Sequence, residues 1–291
     1  MNYYERSLDD LPEELRKRIA VVPNAEDLSD KAASEFADLL ENAIRSDVLL
    51  TVIAPVGPLD YRRFAAEVRR RQLHCRNLRT INMDEYLDEN DRLLPRSHPL
   101  SFRRYMEHTF FSFLEEEDRP LPENILFPDP ERPGGITELI DGIGGADICW
   151  GGLGITGHFA FNDPPSMLGE SDTLGDFRRS RTRKITISPM SAAQMAMGGT
   201  DGNLDIIPKR AVTLGMYELL RSKRIHMTFM RNWHAGLWRR AFLGPVSQDF
   251  PGSLLQEHPN VEITLTEMAA RMPGVNTSQA TGEGPAILNM T

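Results

Sequence analysis

Ala146-Asp147-Ile148-Cys149-Trp150 runs without a break into Gly151-Gly152-Leu153-Gly154-Ile155-Thr156-Gly157-His158-Phe159-Ala160-Phe161-Asn162-Asp163. The first stretch is short and apolar and reads as a buried strand; the second is glycine-rich and reads as the loop leaving its carboxyl end. A junction of the same kind occurs earlier, where the apolar run 78–83 ends in Asn82-Met83-Asp84-Glu85-Tyr86. In an open parallel sheet, ligands bind in the crevice beyond the carboxyl ends of the strands. The two junctions therefore predict one crevice holding two carboxylates and an imidazole.

Outward from these junctions, helical and strand signals alternate. Residues 27–45 carry apolar side chains at helical spacing, 48–54 are a β-branched run, and 61–73 are helical with an arginine-rich outer face. After the strand at 78–83 come helices at 99–116 and 136–143, with a Pro-rich loop between them. Strands at 146–152, 184–188, 211–216 and 225–230 and a helix at 233–243 complete the series. This alternation predicts an α/β fold, a doubly wound and mostly parallel sheet with helices on both faces. Residues 1–22 read as an N-terminal extension, 23–271 as one α/β domain, and the polar, aperiodic 272–291 as a C-terminal tail. The arginines at 62, 63, 69, 70 and 71 are expected to form a solvated helix face.

The chain has 291 residues, of which 40% are hydrophobic, enough for a sizeable core. Its formal net charge of -9 gives no global attraction for nucleic acid or an anionic membrane. No apolar run is long enough to span a bilayer, and the first residues lack the apolar core of a secretory signal, so a cytoplasmic protein is expected. Cys75 and Cys149 are the two cysteines and have neither CxxC spacing nor histidines beside them. They read as ordinary free thiols, and no metal site is suggested.

Asp84 follows an apolar strand directly, so its carboxylate can be presented into the crevice while Glu85 points elsewhere. Partial burial raises a carboxylate pKa above its usual ~3.9 and strengthens it as a base for a carbon-bound proton. His158 lies five residues before Asp163, close enough for the loop to fold back and pair them. A carboxylate beside histidine fixes its tautomer and favours imidazolium, a proton donor for ring opening or for a leaving group. Gly151, Gly152, Gly154 and Gly157 are expected to let backbone approach a ligand closely. Lys209, just before a strand, is a candidate point-charge anchor for a phosphate. The loop after the first strand, Ala54-Pro55-Val56-Gly57-Pro58, is a weaker anion candidate, with Gly57 as its one glycine.

Together these segments resemble the glucosamine-6-phosphate deaminase/isomerase family, relatives of the 6-phosphogluconolactonases, over about residues 27–265. The family pattern Asn-Met-Asp-Glu-Tyr stands here at 82–86. Gly-Gly-x-Gly-x-Asp-Gly-His-Ile-Ala-Phe-Asn-Glu-Pro corresponds to residues 151–164, and the blocks at 180–183 and 208–215 follow in order. The resemblance implies conversion of glucosamine 6-phosphate and water to fructose 6-phosphate and ammonia, with no metal or organic cofactor. Asp84 would shuttle the proton between C2 and C1, His158 would open the sugar ring with support from Asp163, and Lys209 would hold the phosphate. Gly57, Gly152, Gly154, Thr156 and Gly157 would line the substrate site. A homo-oligomer is compatible with the resemblance.

Three departures stand out. Thr156 replaces the family aspartate beside the histidine. The loop Pro55-Val56-Gly57-Pro58-Leu59-Asp60 lacks the hydroxyls usual in the family. The lid region 189–205 has no arginine, with Met197 near the place of the usual one. These imply a retained proton-transfer apparatus with a changed substrate; alternatively, Arg181, Arg183 or Arg210 replace the missing anchors and ordinary amino sugar phosphates still bind. Hydrolysis of a sugar lactone, or sugar-phosphate binding without turnover, are the alternative functions.

Overall fold

The computed structural model describes residues 2–274; most of the predicted C-terminal tail, residues 275–291, lies outside the described residues. The described residues contain ten strands: β1 (Ile19–Val22), β2 (Leu50–Ala54), β3 (Leu78–Asn82), β4 (Asp84–Leu87), β5 (Ile125–Leu126), β6 (Ile148–Gly151), β7 (Arg183–Thr186), β8 (Arg210–Thr213), β9 (Ile225–Phe229) and β10 (Val261–Thr266). Seven of them form a parallel sheet in the order β1-β10-β9-β6-β2-β3-β5. The predicted doubly wound α/β fold is thus present. The order reverses between β2 and β6, so the loops leaving their carboxyl ends diverge and open a crevice there.

Alternation of side chains divides the core between the two faces. Leu50, Val52, Leu78, Ile148 and Trp150 face Phe36, Leu40, Phe64 and Val68. Ile53, Ile81, Cys149 and Met227 face Ile140, Trp238 and Leu254. Helix Ala25–Arg45 covers the first face because Leu28, Ala32, Phe36, Leu40 and Ala43 recur at three- and four-residue spacing. The Asn24 side chain starts that helix by accepting hydrogen bonds from the Glu26 and Asp27 amides. Truncating the fully enclosed Phe36 to alanine would cost about 3–5 kcal/mol. Both thiols are free and buried, and burial pushes both upward in pKa.

The strands expected at 184–188 and 211–216 do not join the parallel sheet. As β7 and β8 they form with β4 a separate antiparallel sheet, in the order β4-β8-β7. A single apolar run cannot reveal which neighbour it will pair with, and β4 was hidden because the backbone turns between Asn82 and Asp84 and leaves one sheet for the other. Residues 1–22 were expected to stand apart, but Ile19–Val22 extends the main sheet as an edge strand beside β10. The helix expected at 99–116 is Phe102–Thr109 followed by short 3-10 turns. The arginine-rich face of helix Tyr61–Arg70 pairs with its neighbours: Arg63 with Asp30, Arg70 with Glu67, and Arg71 with Asp38 and Glu67. Among the described residues no helix is long and apolar enough to cross a membrane.

Candidate functional site

Asp84 opens β4, directly after the sheet-leaving turn, and stands opposite Thr213 in the antiparallel register. Residues opposed in this way project to the same side. The Thr213 hydroxyl donates to Asp84 Oδ1, and the Phe161 amide donates to the same oxygen at 3.1 Å. The small sheet therefore aims the carboxylate, and the glycine-rich loop grips it. Asp84 keeps some solvent access at the crevice, yet enough protein surrounds it that burial pushes its pKa up to about 6, against the lowering effect of Thr213, Phe161 and His158. Such a carboxylate is ionised at neutral pH and a stronger base than a surface aspartate.

Glu85 points away, as expected. It is fully buried and accepts from the Phe102 and Arg103 amides at 2.9 and 3.0 Å, from the Ser101 hydroxyl at 3.0 Å and from the Arg103 guanidinium at 3.1 Å. It thereby fastens the start of helix Phe102–Thr109 to β4.

The loop after β6 folds back, bringing His158 Nδ1 to 3.2 Å from Asp163 Oδ1. Thr156 Oγ1 lies 2.8 Å from the same carboxylate oxygen and 2.9 Å from Nδ1. The Ser191 hydroxyl, from helix Pro189–Gly199, is at 2.7 and 2.9 Å from those two atoms. Asp163 Oδ2 accepts from the Ser188 amide at 3.1 Å. Burial alone would raise the Asp163 pKa, but the bonds from His158, Ser191 and Thr156 outweigh it and hold the carboxyl far below the usual range. Asp163 is thus a fixed anion. Thr156 serves as a hydroxyl bridge between the histidine and the carboxylate.

Two of the loop glycines seat the protein's own side chains. A Cβ on Gly154 would collide with the His158 ring, and one on Gly157 with Phe250, at a backbone φ of 82° that also favours glycine. At Gly152 a Cβ would press on the Thr228 carbonyl at 3.2 Å, whereas at Gly57 it would meet open space. His234 clamps the same loop from the far side. Its Nδ1 accepts from the Met230 and Arg231 amides at 2.9 and 3.1 Å, its ring bonds to the Leu153 backbone, and burial drives its pKa down to about 3.

The cations suggested as substitute anchors are occupied. Arg181 stacks over Tyr217 at 5.0 Å, Arg183 donates to Asn162 Oδ1 at 2.8 Å, and Arg210 pairs with Asp91 at 2.7 Å. Asp60 caps helix Tyr61–Arg70 through the Arg62 amide at 3.1 Å, so its carboxylate already fills that helix start. Lys209 is exposed and, among the described residues, its ammonium has no ion pair. It lies four residues before Thr213, at most about 13 Å of extended chain away. Met197 is 61% exposed. Glu35, His226 and Glu262 are close enough to one another to share a metal ion. His226 and Glu262 lie at the amino ends of β9 and β10, away from the crevice, with Glu35 on helix Ala25–Arg45, and Arg224 already bridges both carboxylates.

Thr213, Ser188 and Ser191 were not foreseen as site residues. Ser188-Pro189 is a recognisable helix start, but nothing local says that the third helical position reaches a histidine 33 residues earlier.

A doubly wound sheet with an acid–base set at its switch point, flanked by a small antiparallel sheet, defines a class of α/β enzymes acting on small polar substrates. No family model matches the chain. A glucosamine-6-phosphate deaminase of Bacillus velezensis is 30% identical over 248 residues, covering 84% of this chain and 95% of that protein. One of Bacillus subtilis is 28% identical over 254 residues, covering 85% and 96%. The chain belongs to the glucosamine-6-phosphate deaminase family. A solved monomeric glucosamine-6-phosphate deaminase superposes with a TM-score of 0.74 at 26% identity, covering 88% of this chain and all of that one. The 6-phosphogluconolactonase of Shewanella baltica, at 14% identity and a TM-score of 0.57, shares the fold.

Proposed function

We propose that this protein is a deaminase/isomerase that converts an amino sugar phosphate or close analogue to the ketose phosphate with release of ammonia. The observation that carries the reading is the pairing of a half-buried, basic Asp84 with a His158–Asp163 dyad across one crevice. The His158 ring, its Nδ1 held among oxygens, has Nε2 available to take the proton from the anomeric hydroxyl. The C1–O5 bond then breaks, and the proton passes to O5. Asp84 removes the C2 proton from the open-chain aldose while O1 takes up a proton from solvent, giving an enolamine. Returned to C1, the C2 proton leaves a protonated imine at C2; water adds to it, a proton passes from the added oxygen to nitrogen, and ammonia departs as the remaining hydroxyl proton returns to solvent and the ketone forms. No step needs an electron donor or acceptor outside the substrate.

Lys209 is the candidate for the substrate's anionic end, and the backbone of residues 152–157 for its hydroxyls. A cytoplasmic setting accords with two buried, free thiols. The test is ammonia release from glucosamine 6-phosphate by wild type and an Asp84→Asn variant in parallel. Turnover by wild type, reduced about 10²–10⁴-fold in the variant, is expected. Absence of turnover by wild type would sink the assignment of this substrate.

A further inference from the structure

We propose that Ser191 is a positioning residue of the His158–Asp163 pair, setting the tautomer of the imidazole from a different element of the fold. The role in turnover rests on the proposed proton transfers; the role in tautomer choice does not.

The argument is a count of protons. Three groups surround Asp163 Oδ1 within hydrogen-bond reach: the Ser191 hydroxyl at 2.7 Å, the Thr156 hydroxyl at 2.8 Å and His158 Nδ1 at 3.2 Å. Each hydroxyl has one proton and two lone pairs, and an ionised carboxylate only accepts. The short distances commit both hydroxyl protons to the carboxylate. Both hydroxyl oxygens also face Nδ1 at 2.9 Å. With their protons spent, they present lone pairs to it, and only an N–H at Nδ1 makes all three contacts attractive. A bare Nδ1 would face three oxygens with no proton between them unless one hydroxyl abandoned the carboxylate. The proton is therefore on Nδ1, and the neutral ring keeps its free lone pair on Nε2, the nitrogen that can serve the substrate.

Thr156 alone would not enforce this. Its oxygen also receives the His158 backbone amide at 3.2 Å, and its hydroxyl could rotate to donate to Nδ1. Ser191 removes that freedom. Its own placement is fixed, since it is fully buried, its amide donates to Ser188 Oγ at 3.2 Å, and Ser188 caps helix Pro189–Gly199. One turn further on the same face, Gln194 Oε1 accepts from the Ile155 amide at 2.6 Å. The helix thus holds the loop at Ile155 and the dyad at Ser191. A glutamate often occupies this third helical position and reaches back to the cap; here a serine reaches forward to the dyad.

The experiment uses ¹⁵N NMR of the His158 ring in the substrate-free full-length protein at neutral pH, together with steady-state ammonia release. Ser191→Ala is expected to move the ring from the Nδ1–H form toward the Nε2–H form. It should also lower kcat by about 10–100-fold with little change in KM. Ser191→Thr, which keeps the hydroxyl, should retain the wild-type tautomer. Ser188→Ala, which removes only the helix cap, should leave the Nδ1–H form dominant. An unchanged tautomer in Ser191→Ala, or equal shifts in Ser191→Ala and Ser188→Ala, would overturn the proposal. If wild type releases no ammonia, the functional reading fails, while the tautomer comparison still decides the role of Ser191.

Discussion

Thr213 and Asp84 face each other across the antiparallel pair β8–β4, and the threonine hydroxyl donates to the carboxylate oxygen. A carboxylate pushed up to about 6 by burial is therefore restrained from rising further by one neighbour on another strand. In Thr213→Val, which keeps the shape and loses the donor, the acid limb of kcat/KM should move to higher pH than in wild type. An unmoved limb would mean that Asp84 is not the titrating base.

The same burial has a cost in stability, and its sign can be worked out. Asp84 titrates near 3.8 when unperturbed and near 6 in the fold. Below the lower value both states are protonated and there is no penalty. Between the two values the unfolded chain ionises first, and above the upper one the full penalty applies, up to about 3 kcal/mol. Asp84→Asn should unfold at higher urea than wild type at pH 8, with the gain vanishing near pH 3.

Asp163 behaves in the opposite sense. Its pKa is depressed in the fold, so its contribution is fully present above the ordinary carboxylate range and is lost as the pH falls through its folded value. Asp163→Asn is expected to lose roughly 2–4 kcal/mol at pH 7 and to approach wild type in strong acid, as read by urea unfolding at the two pH values.

The contact between Gly154 and the His158 ring predicts a loss without unfolding. Gly154→Ala places a methyl group where the imidazole stands. The ring must shift, and ammonia release should drop by about 10² because a small misplacement of a reacting group suffices for that. Wild-type turnover in this variant would show that the ring position is not critical.

Glu85 stands next to Asp84 in the chain but should affect stability first. Glu85→Ala strands the largely buried Arg103 and the amides of Phe102 and Arg103. A loss of about 3–5 kcal/mol is expected by chemical denaturation. Full stability in the variant would contradict the anchoring role.

Much of this molecule is legible in local patterns. The apolar runs ending in Ala54, Asn82, Gly151 and Phe229 are strands where periodicity places them, and Leu28 through Ala43 form the helix their spacing predicts. Asp84, His158 and Asp163 could be picked out because each follows a strand or pairs within one loop. Thr213 could not, because its importance depends on the register of a second sheet. Ser191 could not, because its hydroxyl acts on residues 28 and 33 positions earlier in the chain. The glycines were seen, but the side chains they accommodate were not.

By itself, then, the sequence determined the alternation of strands and helices, the crevice at the strand ends and the pairing of His158 with Asp163 within one loop, because hydrophobic period and loop chemistry are local properties. The tertiary structure decided that β4, β7 and β8 leave the main sheet and that Asp84 is half-buried and basic. It also decided that Arg183 and Arg210 bond to Asn162 and Asp91, and that the hydroxyls of Thr156 and Ser191 meet beside His158. Those properties depend on desolvation and on hydrogen bonds between distant segments, which exist only once the chain has folded.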